Sequence, residues 1–148
     1  TFILSGARDT HNPECVPLGK INEWVEDGLV EWLGHCKNMS KIYSDVNIVC
    51  LPSYREGLPK SLLEAAACGL PIVTTDAPGC REVVHHQENG LLVPVRDPFA
   101  LAHALEILIT DKGLRQHMGK RGREMAERKF SIDSVVKQTF KLYRELMS

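Results

Sequence analysis

The chain has 148 residues, of which 43% are hydrophobic and 25% are charged, so it carries enough apolar side chains for one compact core. Its formal net charge of -1 gives no overall attraction to polyanions, which argues against nucleic acid as a partner. The 5 cysteines are widely spaced and contain no Cys-x-x-Cys pair, which argues against a disulfide framework or a zinc site and favours a reducing, cytoplasmic setting.

Apolar runs typical of strands alternate with helical periodicity along the first two thirds of the chain. The predicted strands are residues 2–6, 29–34, 47–53, 71–76 and 90–94. The predicted helices between them are centred on residues 21–25, 39–43, 59–68 and 81–85. This alternation predicts an α/β fold with a doubly wound, Rossmann-like parallel sheet. We expect the first strand to be buried and the β-branched run 47–53 to lie in the middle of the sheet.

The last third of the chain is predicted to be helical throughout. Asp97 and Pro98 are a typical helix start, and a charged helix with a thin apolar face should follow over residues 112–129. Ser131 can cap a final helix, 131–148, whose apolar face predicts an interface. No apolar run reaches the roughly 20 residues that a membrane span requires.

The stretch REGLPKSLLEAAACGLP, residues 55–71, is the strongest candidate for a binding site. It follows a predicted parallel strand, and ligands of open α/β sheets bind beyond the carboxyl ends of the strands. Pro59 can open the next helix, whose first amides and dipole suit a phosphate, and Gly57 keeps side-chain bulk away from that approach.

Glu56 and Glu64 flank this predicted helix start with seven residues between them. An ionised carboxylate offers only acceptors, so each could bind a pair of sugar hydroxyls on one elongated ligand. The alternative is that Glu64 is an early-helix acid favoured by the dipole and that Glu56 is a surface residue. Spacing alone leaves both interpretations open.

A longer stretch of the sequence resembles a known protein family. Residues 46–84, VNIVCLPSYREGLPKSLLEAAACGLPIVTTDAPGCREVV, followed by residues 88–105, ENGLLVPVRDPFALAHAL, resemble the carboxyl-terminal domain of group 1, or family 4, retaining glycosyltransferases. The likeness is greatest to bacterial members that build capsular, exopolysaccharide, lipopolysaccharide and lipid-linked glycans. It implies the GT-B fold, with residues 1–148 as one donor-binding domain.

The resemblance also implies roles for individual residues. It makes Glu56 the catalytic-site carboxylate that contacts the transferred hexose, and Glu64 the group that holds the ribose diol of the nucleotide. The residues implied to bind the diphosphate and the sugar are Gly57, Leu58, Pro59 and Ser61. The nucleobase is implied to lie near Gly34 and His35.

The resemblance implies the partners as well. The donor is a nucleotide-diphosphate sugar, with a UDP-sugar favoured over a GDP-sugar, and the acceptor is a glycan or a lipid-linked glycan bound by a preceding domain. Transfer needs no metal and no cofactor, and the full-length protein would be cytoplasmic, with a peripheral position at the inner face of the membrane. The final helix would pack toward the preceding domain.

The sequence departs from the family pattern before Thr1, where the family has an acceptor domain and a first strand whose loop carries an Arg and a Lys. We therefore expect these 148 residues to bind nucleotide weakly and to transfer no sugar alone. Lys60 does not match that basic pair.

Two other classes stay open on the residues alone. A nucleotide-sugar epimerase of similar architecture would also bind a nucleotide diphosphate, and a non-catalytic, flavodoxin-like interaction module would need only the strand and helix alternation. His85 and His86 are interpreted as exposed loop residues rather than metal ligands, and Cys80 as an inert thiol rather than a nucleophile. Asp76 could serve a site or cap a turn, and Arg81 could line the donor pocket or form a surface ion pair.

Overall fold

The computed structural model describes residues 1–147, in which strands and helices alternate as the sequence predicts. The strands are β1 (Phe2–Leu4), β2 (Val30–Trp32), β3 (Val49–Leu51), β4 (Ile72–Thr75) and β5 (Gly90–Val93). The helices are α1 (Leu18–Glu26), α2 (Met39–Asp45), α3 (Lys60–Ala67), α4 (Cys80–Val83), α5 (Pro98–Thr110), α6 (Lys112–Phe130) and α7 (Ile132–Met147). The chain divides into two compact units, a first unit Thr1–Lys41 and a second unit that begins at Ile42.

The first unit contains a parallel pair of strands, in which Phe2 lies opposite Val30. Helix α1 ends before Gly28, which has a φ of 69°, and the amide of Leu29 donates to the Trp24 carbonyl at 2.9 Å. A glycine in the left-handed conformation therefore ends this helix. The expectation of a buried first strand is wrong for the chain as described: Phe2 is 53% exposed. The reason is that β1 is a three-residue strand of a two-stranded sheet, and helix α1 packs mainly against β2.

The second unit contains a parallel three-stranded sheet in the order β3-β4-β5. The centre of this sheet is β4, whose four residues are all buried. The prediction that residues 47–53 lie in the middle of a sheet is wrong for this unit, because β3 is its edge strand and Cys50 is exposed. A β-branched apolar run marks a strand, but it does not specify how many neighbours that strand has.

Helices pack against this sheet. Helix α5 contacts β4 and β5 around a buried cluster formed by Val73, Leu91, Val93, Ala104, Leu108 and Met118. The Asp97 carboxylate caps α5 by accepting from the Ala100 amide at 2.9 Å, as the sequence predicts.

Helix α3 packs chiefly against helix α6, and small residues make the approach possible. A Cβ atom added at Gly122 would lie 3.7 Å from the Cα of Ala66, and one added at Gly119 would lie 2.0 Å from the Gly69 carbonyl oxygen. The small side chain of Ala66 therefore admits the backbone of α6.

The final helix, α7, follows Ser131, whose hydroxyl accepts from the Ser134 amide at 3.3 Å. Its apolar side chains are exposed in the described chain, with Phe140 at 60%. Position 148 of the predicted helix lies outside the described residues. None of the described helices has the length and hydropathy needed to cross a membrane.

Candidate active site

The Glu56 loop begins where β3 ends and leads directly into helix α3. Pro59 is the N-cap residue, and its carbonyl accepts from the amides of Leu62 and Leu63 at 3.1 and 3.2 Å. No side chain within residues 1–147 caps this helix end. The first-turn amides at Lys60 and Ser61 are thus available for an anionic ligand, which the helix dipole also favours.

Glu64 lies on α3, just beyond this helix start, with its side chain 36% exposed. Its two carboxylate oxygens have different partners. The Tyr43 hydroxyl lies 3.3 Å from Oε2, and the Lys60 ammonium lies 3.4 Å from Oε1. One face of the carboxylate is therefore held by a buried side chain, while solvent and ligand can reach the other.

Tyr43 comes from helix α2 and is only 6% exposed. Its hydroxyl also lies 3.2 Å from the Ser61 carbonyl oxygen. Burial, together with the nearby Glu64 carboxylate, raises the pKa of Tyr43 to about 12. The phenol is consequently protonated at neutral pH and acts as a hydrogen-bond donor. The sequence pattern around Tyr43 indicates only that it belongs to a short helix.

Three hydrogen bonds fix the course of the Glu56 loop. The Glu56 amide donates to the Pro78 carbonyl at 3.2 Å, and the Ser53 hydroxyl donates to the Arg55 carbonyl at 3.3 Å. The Thr75 hydroxyl, at the end of β4, donates to the Ser53 carbonyl. The loop is therefore tied to the neighbouring strand and to the segment that follows it.

That following segment approaches the Glu56 loop very closely at Gly79. This glycine has a φ of 81°, and a Cβ atom added to it would lie 2.4 Å from the Gly57 carbonyl oxygen and 2.5 Å from the Glu56 carbonyl oxygen. Only glycine fits both the backbone conformation and the space. Nothing in the sequence around Gly79 indicates this contact with the site.

Asp76 and Arg81 bind each other beside this contact. The Arg81 Nε atom lies 3.0 Å from the Asp76 carboxylate, and a second guanidinium nitrogen donates to the Asp76 carbonyl at 2.9 Å. Both residues are exposed. The pairing stabilises the segment after β4, and it uses donors that Arg81 could otherwise offer to a ligand.

A groove of about 330 Å³ opens at the carboxyl ends of the three strands. Tyr54 lines it, and the Arg96 guanidinium lies 5.3 Å from the centre of the Tyr54 ring. The groove thus pairs an aromatic side chain, two residues before Glu56 in the sequence, with a cation that follows β5.

Gly34 and His35 lie in the first unit, in the loop after β2. Gly34 has a φ of 61°, and its carbonyl accepts from the Gly6 amide at 2.8 Å. The carboxylates belong to the second unit, and each unit is described by itself. The nucleobase role of Gly34 and His35 therefore stays a prediction.

The paired histidines have structural partners. His85 lies 3.3 Å from the Glu88 carboxylate, and the His86 ring accepts from the Leu92 amide at 3.0 Å. Cys80 is fully buried. Within residues 1–147, no three His, Cys, Asp or Glu side chains form a group that could hold a metal ion.

Comparison with known proteins identifies the family. The sequence model described as Glycosyl transferases group 1 matches residues 26–125. The N,N'-diacetylbacillosaminyl-diphospho-undecaprenol alpha-1,3-N-acetylgalactosaminyltransferase of Campylobacter jejuni is 33% identical over 142 residues, which are 96% of this chain and 36% of that protein. This chain therefore spans little more than a third of the relative's length.

Two solved structures have the same fold. A sucrose-phosphate synthase from Thermosynechococcus elongatus matches 98% of this chain and 38% of its own, with 30% identity and a TM-score of 0.83. Anabaena HepE in complex with UDP-glucose matches 97% of this chain and 40% of its own, with 23% identity and a TM-score of 0.80. The predicted α/β fold of a GT-B glycosyltransferase is confirmed. The chain belongs to the group 1 glycosyl transferases.

Proposed function

We propose that this chain binds the nucleotide-diphosphate sugar of a retaining hexosyltransferase, which passes the hexose to a glycan or a lipid-linked acceptor. The observation that carries the proposal is the placement of Glu64. Its carboxylate is half-exposed beside the uncapped amino end of α3, so a diol acceptor and a phosphate-binding helix start lie on the same short helix.

The roles of the individual groups follow from their chemistry. Glu64 accepts from the two ribose hydroxyls, while the first-turn amides of α3 and the backbone at Gly57 and Leu58 bind the diphosphate. Pro59 fixes the direction in which the helix starts, and Ser61 contributes its amide. Glu56, in the braced loop, binds the hexose at the reacting end of the donor.

Loss of the diphosphate requires stabilisation of the negative charge that develops on it. In this proposal the charge is met by the α3 amides and by basic side chains, an arrangement that acts without a metal or a cofactor. EDTA is expected to leave nucleotide affinity unchanged.

The comparisons support the choice of donor and acceptor. HepE was solved with UDP-glucose, which favours a UDP-sugar over a GDP-sugar. The Campylobacter relative is named for an undecaprenol-linked acceptor, which favours a lipid-linked glycan as the acceptor. We further propose that the full-length protein is cytoplasmic and peripheral to the inner face of the membrane.

Nucleotide titration tests the proposal directly. UDP, GDP and ADP are added to the chain, and amide chemical shifts are followed by NMR. Glu64→Ala is expected to weaken the preferred nucleotide about tenfold to a hundredfold, which corresponds to the roughly 1.5–3 kcal/mol of a hydrogen bond to a charged group.

The matched control is Glu106→Ala, which removes an exposed glutamate from α5. It should bind nucleotide as the parent chain does. Equal affinity of Glu64→Ala and the parent chain would refute the assignment of the ribose diol to Glu64.

A further inference from the structure

The Tyr43 hydroxyl connects helix α2 to the ligand-facing side of α3 through two acceptors. It lies 3.3 Å from Glu64 Oε2 and 3.2 Å from the Ser61 carbonyl oxygen. A phenol has a single proton, and the Ser61 carbonyl belongs to a helix whose internal hydrogen bonds already engage it. The charged carboxylate is the stronger acceptor of the two.

The two partners of Glu64 differ in how firmly they can hold it. The Lys60 side chain is 87% exposed, so its attraction to the carboxylate is screened and its geometry is loose. Tyr43 is 6% exposed, and its ring is packed in place. A glutamate has three rotatable side-chain bonds, so the partner that limits its orientation is the buried one.

We propose that Tyr43 is a positioning residue for the donor. Its hydroxyl holds Glu64 in the orientation in which the carboxylate accepts hydrogen bonds from both hydroxyls of the ribose diol. This inference rests on the proposed function and adds a residue that does not touch the ligand. The energetic gain is preorganisation, because the carboxylate is ordered before the nucleotide arrives.

The chemical state of the phenol agrees with this role. Its pKa of about 12, raised chiefly by burial, keeps the proton on the hydroxyl over the whole range in which the protein would work. A protonated phenol donates to the carboxylate and leaves further lone pairs on both oxygens for the diol.

The test is a double-mutant cycle between Tyr43→Phe and Glu64→Ala, read by titration with UDP and 2′-deoxy-UDP, and with GDP and 2′-deoxy-GDP in parallel. Phenylalanine keeps the buried ring and removes only the hydroxyl. Tyr43→Phe is expected to weaken the affinity for UDP about threefold to tenfold. The affinity for 2′-deoxy-UDP should change less, because that nucleotide lacks one of the hydroxyls that donate to Glu64.

In the Glu64→Ala background, Tyr43→Phe is expected to have no further effect on UDP. Tyr143→Phe, an exposed tyrosine on α7, is the matched control and should bind like the parent chain. Amide spectra and urea unfolding verify that each variant is folded.

The outcomes separate this inference from the proposed function. If none of the four nucleotides binds the parent chain, both are overturned. If UDP or GDP binds and Glu64→Ala weakens it while Tyr43→Phe does not, the proposed function stands and the role of Tyr43 is refuted. If Tyr43→Phe weakens UDP binding as much in the Glu64→Ala background as in the parent chain, Tyr43 acts through the fold of α3. That result also refutes the inference.

Discussion

Gly79 and Gly57 meet backbone to backbone: a Cβ atom at position 79 would lie 2.4 Å from the Gly57 carbonyl oxygen. The contact joins the segment after β4 to the loop that carries Glu56. Because two main chains meet there, neither can yield by rotating a side chain. The shape of the Glu56 loop is therefore set in part by a residue more than 20 positions further along the sequence.

Gly79→Ala is expected to displace the Glu56 loop and to weaken binding of a UDP-sugar at least about tenfold. The added methyl group overlaps the Gly57 carbonyl, and the positive φ costs a further 1–2 kcal/mol or so for alanine. NMR titration measures the affinity, and urea unfolding measures the stability.

The control for this variant is Gly19→Ala in helix α1, where an added Cβ has no neighbour within 4 Å among the described residues. Alanine is the better helix former, so Gly19→Ala should be as stable as the parent chain or slightly more so. Unchanged donor binding by a folded Gly79→Ala variant would show that the Glu56 loop does not depend on this contact.

Thr75→Val should weaken donor binding and destabilise the fold. Thr75 is buried, and its hydroxyl donates to the Ser53 carbonyl. Valine has nearly the same shape as threonine but cannot donate this hydrogen bond. An acceptor left without its partner in a buried place costs about 1–3 kcal/mol. Urea unfolding reports the stability, and UDP-sugar titration reports the site.

Thr74→Val is a closely matched comparison for this substitution. Thr74 is also buried, and its hydroxyl donates at 2.7 Å to Leu51, which lies within β3 rather than in the Glu56 loop. Both variants should lose similar stability, but only Thr75→Val should lose affinity. Equal losses of affinity in the two would mean that the Glu56 loop has no special dependence on Thr75.

Glu88 is expected to make stability depend on pH in the acid range. Hydrogen bonds from His85 and Arg121 lower the pKa of the Glu88 carboxyl. A carboxyl whose pKa is lower in the folded state stabilises that state fully above its unfolded pKa of about 4.3, and the stabilisation is lost as the pH falls through the folded value. Glu88→Gln should therefore be less stable than the parent chain at pH 7, and the difference should shrink below about pH 4.

The pH dependence is measured by urea unfolding between pH 3 and pH 7, with Glu82→Gln as the control on an exposed acid of α4. The pairing is exposed to solvent, so added salt should reduce the difference at pH 7. A difference that stays constant across this pH range would mean that Glu88 supports the fold without its charge.

The positions of the strands and helices could be predicted because they depend on local patterns. Alternating apolar runs and helical stripes specify each element, and Gly28 and Asp97 mark helix ends through their own backbone and side-chain chemistry. The pairing of strands was harder to foresee. Nothing within residues 47–53 indicates that β3 is an edge strand of its sheet, because that depends on which other strands lie beside it.

The same distinction holds for the candidate site, where local sequence indicates some residues and tertiary contacts determine the others. Glu56 and Glu64 could be assigned to a loop and a helix start from the sequence around them. Tyr43, Thr75 and Gly79 were missed because each contacts the site from another element, and their partners lie about 20 residues away in the sequence. The carbonyl oxygens that require glycine at position 79 are recognisable only in three dimensions.

Helix α3 is held at its carboxyl end, opposite the uncapped amides of its first turn. Gly69, just after its carboxyl end, touches the backbone of α6 at Gly119, and Arg123 of α6 donates to the Ala67 carbonyl at 2.5 Å. The helix cannot slide along its axis without moving α6 as well. We therefore expect the two helices to move together, so that a diphosphate bound at the amino end of α3 should slow amide hydrogen exchange in α6 as well.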